Sequence, residues 1–274
     1  MYVNLSKKII TTYFSDYITS NGLGRKPKVE LWRVIKAIIY RLKTGCQWRE
    51  LPLKNFFEKT TITWNAVYYH FNKWSKLGVL KNIWQKVLAI KRASIDLSSI
   101  QLDGSHTPAK RGGIAVAYQG RKKAKTTNAL FVTDKNGLPL AMSVPEAGNH
   151  NDLFEIKARF GEILRDIQAS KICTEGLFMN ADAGFDSREF REFCYKNDLI
   201  ANIDFNNRKS INPDNNYVFD DDLYKERFTI ERTNAWIDAF KALLVRFETR
   251  VDTWQSLHYM AFILILIRPE TNHF

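Results

Sequence analysis

The chain has 274 residues, 45% of them apolar and 26% charged, with a net charge of +12. That length and apolar content exclude a disordered chain and allow one large or two modest domains. The longest apolar run, residues 259–267, has nine residues, against the about 20 that a membrane-spanning helix needs, so no membrane association is expected. The first residues hold no apolar signal stretch, and the three cysteines, Cys46, Cys173 and Cys194, form neither a CxxC pair nor an even framework. A reducing cytoplasm is the expected compartment.

The charge is unevenly placed. Residues 1–95 carry 18 Lys and Arg against 4 Asp and Glu, and residues 96–274 carry 23 against 25. All the net positive charge therefore lies in the first third, which points that part toward a polyanion, nucleic acid foremost.

In chain order, residues 1–20 predict a helix with apolar Leu5, Ile9, Ile10, Tyr13, Phe14 and Tyr17, followed by turn residues 21–27. Leu31, Val34, Ile35, Ile38, Ile39 and Leu42 recur at helical spacing, with Thr44-Gly45 as the stop. Thr60 or Thr61 is expected to cap a helix with the stripe Trp64, Val67, Tyr68, Phe71 and Trp74; Gly78 then introduces one carrying Leu80, Ile83, Trp84, Val87 and Leu88. These four helices predict a helix-turn-helix-like module over 1–95, with its aromatic stripes in the core.

After residue 95 the pattern becomes mixed. Strands are predicted at 99–103, 129–133, 139–144, 177–182 and 199–203, with a hairpin turn at Asn136-Gly137. Asn151 or Asp152 is expected to cap a helix reaching Gln168, and Ser187 one reaching Tyr195. Residues 205–222 read as a loop, 228–248 as one long helix, and a last helix starts near Thr253. The order implies a mixed α+β or α/β sheet flanked by helices over 96–274.

Asp103 and Asp182 each end a predicted strand before a turn, where folds of this class place functional groups. Taken singly, each reads first as a turn cap. Together, two such carboxylates repel unless a cation lies between them, and a hard ion such as magnesium suits them. Tyr224, Arg227 and Glu231 follow at i, i+3 and i+7, which puts a phenol, a guanidinium and a carboxylate on one helical face. The plain alternative is a solvated helix start with a local ion pair.

At these residues the chain resembles the DDE transposases of bacterial insertion sequences, in the insertion-sequence five-like group. Tyr224-x2-Arg227-x3-Glu231, Asp103-Gly104-Ser105 and Asn180-Ala181-Asp182-Ala183-Gly184-Phe185-Asp186-Ser187 match its motifs in order, and residues 24–27 and 40–52 resemble its helical module. The resemblance implies an RNase H-like fold and a transposase that binds element ends and performs metal-dependent DNA cleavage and strand transfer. The rivals are a two-metal nuclease without strand transfer and a catalytically dead DNA-binding derivative. Asp103, Asp182 and Glu231 are the implied catalytic and metal-holding acids for two Mg2+ ions, or Mn2+, with Asp186 as rival to Asp182. The implied partners are double-stranded DNA and further copies of the chain, as a homodimer or larger assembly on DNA, in association with the nucleoid.

The basic run Lys110, Arg111, Arg121, Lys122, Lys123 and Lys125 is expected to contact DNA backbone, as are Tyr224 and Arg227. His150 and Asp152 match a family loop and read as supporting or capping residues. The family pattern has Lys seven residues after the Glu, where this chain has Asp238. Lys241, three residues on, is expected to substitute as a DNA contact by lying on nearly the same helical face.

Overall fold

The first helices form where the apolar spacing dictates. A computed structural model describes residues 5–18, 29–58, 62–206 and 219–267. Helices α1 (Lys7–Ile18), α2 (Leu31–Thr44), α3 (Trp64–Lys76) and α4 (Val79–Ile90) precede the sheet. α2 buries Val34, Ile35, Ile38, Ile39 and Leu42, and ends at Gly45, whose φ of 67° lets its N–H close on Arg41 O. The helix capped by the expected threonines instead begins after Thr63, whose side chain makes no cap bond. Thr60, Thr61 and the turn at 21–27 lie outside the described residues.

Seven strands follow among the described residues: β1 (Ile100–Pro108), β2 (Ala117–Gln119), β3 (Ala124–Asp134), β4 (Pro139–Met142), β5 (Glu146–Ala147), β6 (Phe178–Ala181) and β7 (Ile200–Ile203). They order as β2-β3-β1-β6-β7, with β4 and β5 also on β3. β3 runs antiparallel to β1, whereas β1, β6 and β7 are parallel. The turn at Asn136-Gly137 joins β3 to β4, with Gly137 at φ 81°. Helices α5 (Ile156–Ala169) and α6 (Arg188–Lys196) make the crossovers, and Ser187 Oγ accepts from Phe190 N at the start of α6. An antiparallel hairpin beside parallel strands with helical crossovers is an RNase H-like arrangement.

Four expectations need correction. β1 and β3 extend well beyond 99–103 and 129–133, because they pair with each other through Pro108 and Thr126. The short β2 and β5 carry too few residues for a periodic signal. α5 begins only at Ile156, after Glu155 in a left-handed conformation, so neither Asn151 nor Asp152 caps it. The helix expected over 228–248 is broken into α7 (Asp221–Lys225), a 3₁₀ turn (Glu226–Thr229), α8 (Ile230–Asp238) and α9 (Lys241–Leu244). The break falls at Phe240, extended at φ −92°, ψ 95°. It seats Phe240 and Leu243 in the core while Leu244 and Phe247 stay exposed. Burying two large side chains there outweighs a few continued helical bonds. Most of the expected 205–222 loop lies outside the described residues.

The final helix, α10 (Val251–Leu266), is buried on nearly every side, as a helix apolar all round must be. Its Tyr259 stacks on Trp84 of α4 at 5.1 Å, and its Phe262 meets Phe131 of β3 edge-on at 6.3 Å. Arg41 of α2 pairs with Glu248 at 2.7 Å, both 7% exposed. The N-terminal helices and the sheet thus share one core through α10. No helix among the described residues is long and apolar enough to cross a membrane.

Candidate active site

The register of two strands sets the site. Leu102 pairs with Ala181 as the last pair of the parallel β1–β6 ladder. The next residue on each strand is an aspartate, Asp103 and Asp182, so both emerge at the carboxyl end of adjacent parallel strands. Asp103 does not end its strand, as the sequence implied. It lies where β1 loses β6 but keeps β3, opposite Phe131. Its Oδ1 accepts from its neighbour Gly104 N at 2.8 Å, and Asp182 Oδ1 accepts from Gly184 N at 2.8 Å.

Glu231 lies exposed in the first turn of α8, with Asn234 Nδ2 3.4 Å from its Oε2. Burial pushes the Asp103 carboxyl up to about 6, and Asp182, Glu231 and Asp152 push the same way, against the Gly104 N–H. The charges of Asp182, Glu231 and Asp152 thus act on Asp103 in the same direction as its burial. Asp186 faces elsewhere. Its Oδ1 accepts from Arg191 Nε at 2.9 Å and its Oδ2 from Asn206 N at 2.9 Å, which ties α6 to the end of β7.

A buried amide ladder positions the segment that carries Glu231. Ser99 Oγ donates to Glu226 Oε2 at 2.7 Å, and Gln101 Nε2 donates to Ser99 Oγ at 2.8 Å. Asn180 Nδ2 donates to Gln101 Oε1 at 2.9 Å and to Leu223 O at 2.8 Å. Asn202 Nδ2 donates to Asn180 Oδ1 at 2.7 Å and to Asp220 O at 3.0 Å. These buried polar residues satisfy one another across the strands, and their remaining bonds go to Asp220, Leu223 and Glu226, so they dock the 220–226 segment. Their alternation within apolar strands was the available signal for this role.

Tyr224, Arg227 and Glu231 occupy α7, the 3₁₀ turn and α8 in succession rather than one α-helix. Arg227 lies over the Tyr224 ring at 5.3 Å and the exposed Phe228 ring at 4.6 Å. The Tyr224 hydroxyl is pushed up mainly by burial, with Arg227 opposing and Asp204 and Asp182 reinforcing.

Arg121, Lys122 and Lys123 form the exposed tip between β2 and β3, with Lys125 exposed at the start of β3. Lys122 Nζ donates to His106 O at 2.9 Å, which ties the tip to the strand that carries Asp103. Lys241 is exposed, but the break at Phe240 removes the continuous face expected to join it to Asp238 and Glu231. It packs instead on the end of α2, where a Cβ on Gly45 would lie 3.1 Å from Lys241 Cβ. Its charge still lowers the Asp238 carboxyl, which burial raises.

The acids suit a hard divalent cation, since they offer carboxylate oxygens and the charges of Asp182 and Glu231 act on a half-buried Asp103. Among the described residues no three His, Cys, Asp or Glu side chains form a ready-made metal cage. The fit rests on donor chemistry and field. Asp152, expected as a cap or supporting residue, lies against Gly104 and accepts from Asn128 Nδ2 at 2.8 Å.

Two family models match the chain: one described as putative transposase of IS4/5 family, over residues 8–84, and one described as transposase DDE domain, over residues 90–266. No curated protein matches it. Solved structures with loose similarity include a pre-cleavage Mos1 transpososome, with 12% identity, TM-score 0.30, and coverage of 90% of this chain and 80% of that chain. A Mos1 transposase paired-end complex with left transposon end has 13% identity, TM-score 0.30, and coverage of 95% and 86%. Superposition this loose carries no weight for fold or function.

Proposed function

The chain belongs to the DDE transposase family and is a metal-dependent enzyme that cuts and joins DNA at element ends, and we propose that Asp103, Asp182 and Glu231 are its catalytic acids. The observation that carries this reading is the paired emergence of Asp103 and Asp182 beyond Leu102↔Ala181, with Glu231 acting on the same point. The three would hold two Mg2+ ions, with Mn2+ as substitute. Bound there, the ions supply an activated oxygen nucleophile and relieve charge on the leaving oxygen.

The chain's own groups do the rest. Asp103, preorganised by Gly104 N–H, keeps its oxygens on the site. Arg227, whose Nε has no hydrogen-bond partner among the described residues, offers a guanidinium to a DNA phosphate, with the Tyr224 ring beside it. Arg121, Lys122, Lys123 and Lys125 hold backbone near the scissile bond, and Lys241 adds a peripheral cation. Residues 1–95 supply the basic end-binding module and residues 96–274 the catalytic part, joined by α10. The working unit is a dimer or larger assembly on double-stranded DNA in the cytoplasm, at the nucleoid.

The test pairs cleavage of an element end with joining of a pre-cut end, in Mg2+ and in Mn2+. Wild type is expected to do both. Asp103→Asn, Asp182→Asn and Glu231→Gln are expected to do neither while still binding end DNA. Wild-type cleavage without joining would reduce the protein to a nuclease. Activity kept in Asp182→Asn and lost in Asp186→Asn would overturn the choice of second aspartate.

A further inference from the structure

We propose that helix α3 reads base edges of the element end, through an exposed face made of Asn65, Tyr69, Lys73 and Lys76. The inference rests on the reading of residues 1–95 as the end-binding module and names the surface that binds. Helices α3 and α4 are joined only by Leu77 and Gly78, with Gly78 at φ 64°. In a helix-turn-helix the second helix of such a pair enters the major groove. Here the second helix is already held on two sides. α4 buries Leu80, Ile83, Trp84 and Val87, stacks Trp84 on Tyr259 of α10, and sends Lys81 and Gln85 to Asp166 of α5 at 2.7 and 3.3 Å. A helix so enclosed cannot enter a groove, and the reading role falls to α3.

α3 buries Val67, Phe71 and Trp74 on one side and leaves the other open. Asn65, Tyr69, Lys73 and Lys76 recur at i, i+4, i+8 and i+11, so they form one exposed stripe about 16 Å long. A major groove about 12 Å wide admits such a helix. Tyr69 is 61% exposed, a large aromatic left in water between an amide and two lysines. The helix carries no acid. On the other N-terminal helices Lys7 and Arg33 share Glu30, Arg41 holds Glu248 and Lys86 holds Asp16, whereas Lys73 and Lys76 meet no acid among the described residues. Their uncompensated charge suits DNA phosphates and repels a second copy of the same basic face. At the start of α3 the exposed Arg49 guanidinium lies over the Trp64 ring at 5.3 Å, so cations stand at both ends of the helix. Between them, Asn65 offers the donor and acceptor that adenine N6 and N7 require. His70 and Asn72 are otherwise engaged: the His70 ring packs on Trp74 at 5.5 Å, and Asn72 Oδ1 accepts from Arg250 Nη1 at 3.0 Å. The Asn72 bond ties α3 to the residue that precedes α10, which fixes its open face relative to the sheet.

The experiment measures binding of the full-length protein, in EDTA, to a duplex carrying the element end and to an unrelated duplex of equal length, over a salt series. Wild type is expected to prefer the end. Asn65→Ala and Tyr69→Ala are each expected to weaken end binding roughly tenfold and to leave the unrelated duplex unchanged. Lys73→Gln combined with Lys76→Gln is expected to weaken both duplexes alike and to reduce the salt slope by about 2. Lys86→Gln, whose charge is already paired with Asp16, is expected to change neither. Melting is expected to stay at the wild-type value in the α3 variants, whose positions are exposed. Equal losses on both duplexes for Asn65→Ala and Tyr69→Ala would reduce α3 to a backbone contact and overturn the reading role. Full end preference in every α3 variant would sink the inference and leave end binding to another surface. A DNA-free oligomer that Tyr69→Ala dissociates in sedimentation would give the face to a second copy of the chain instead. A wild type without end preference would overturn the end-binding reading itself, and this inference with it.

Discussion

Asp103 and Asp134 lie three ladder pairs apart on the same two strands, and their surroundings differ in kind. Both carboxyls are pushed up to about 6, with burial as the first cause in each. At the hairpin end, Asp134 accepts backbone N–H bonds from Asp96 at 3.0 Å, Asn136 at 2.9 Å and Leu138 at 2.7 Å. It closes the turn that Gly137 permits. At the other end, Asp103 has the single backbone bond from Gly104, and the charges of Asp182, Glu231 and Asp152 push its carboxyl up further. A buried acid whose lone pairs are used is part of the fold. One whose neighbours are acids carries a cost that folding alone does not repay, and a bound cation removes it.

The largest expected effect separates the two in activity. Asp103→Asn should lower end cleavage by roughly 10²-fold or more, as loss of a key electrostatic group does, with no loss of stability at pH 7. A variant that melts well below wild type would make Asp103 a structural residue like Asp134. Next, Asp134→Ala strands three buried backbone donors and should cost about 2–3 kcal/mol in urea unfolding at pH 5, with cleavage per folded molecule kept. A silent substitution there would mean that the turn closes without its carboxylate.

The pH dependence sharpens the comparison. Both groups have folded-state values raised from 3.8 to about 6, so the folded state holds their protons more tightly. Their contribution is present below about pH 4 and is lost as pH rises through 6. Metal-free protein should lose stability over that window. Asp103→Asn should flatten the slope in part, and saturating Mn2+ at pH 7 should restore stability in wild type but not in this variant. A slope unchanged by Asp103→Asn would assign it to Asp134 and other groups. The smallest effect is expected at Lys241, which lies outside the acidic site. Lys241→Ala should change stability by less than about 0.5 kcal/mol, and a fall in end binding beyond about threefold, near 0.7 kcal/mol, would return it to the DNA-contacting set.

Much was legible locally. The α2 stripe with its Gly45 stop, the Asn136-Gly137 turn and the Ser187 cap each depend on residues within a few positions of one another, and each stands where expected. Asp103, Asp182 and Glu231 were legible as motif residues, and strand register brings the first two together. The helix expected over 228–248 was not broken by any Gly or Pro. Its interruption at Phe240 answers to the core beneath it, which no local signal reports.

By itself the sequence determined the helices that obey period and cap and the hairpin, and it marked the acids proposed to carry the chemistry. Tertiary structure alone decided how far β1 and β3 extend, that α10 is shared by the helices and the sheet, and that Asp152 lies against Gly104. The reason is range. Caps and periodicity act between neighbours along the chain, whereas Gly104 and Asp152 meet because β1 pairs with β3 and Asn128 of β3 fixes the loop after β5. Only the assembled sheet puts those two residues in contact.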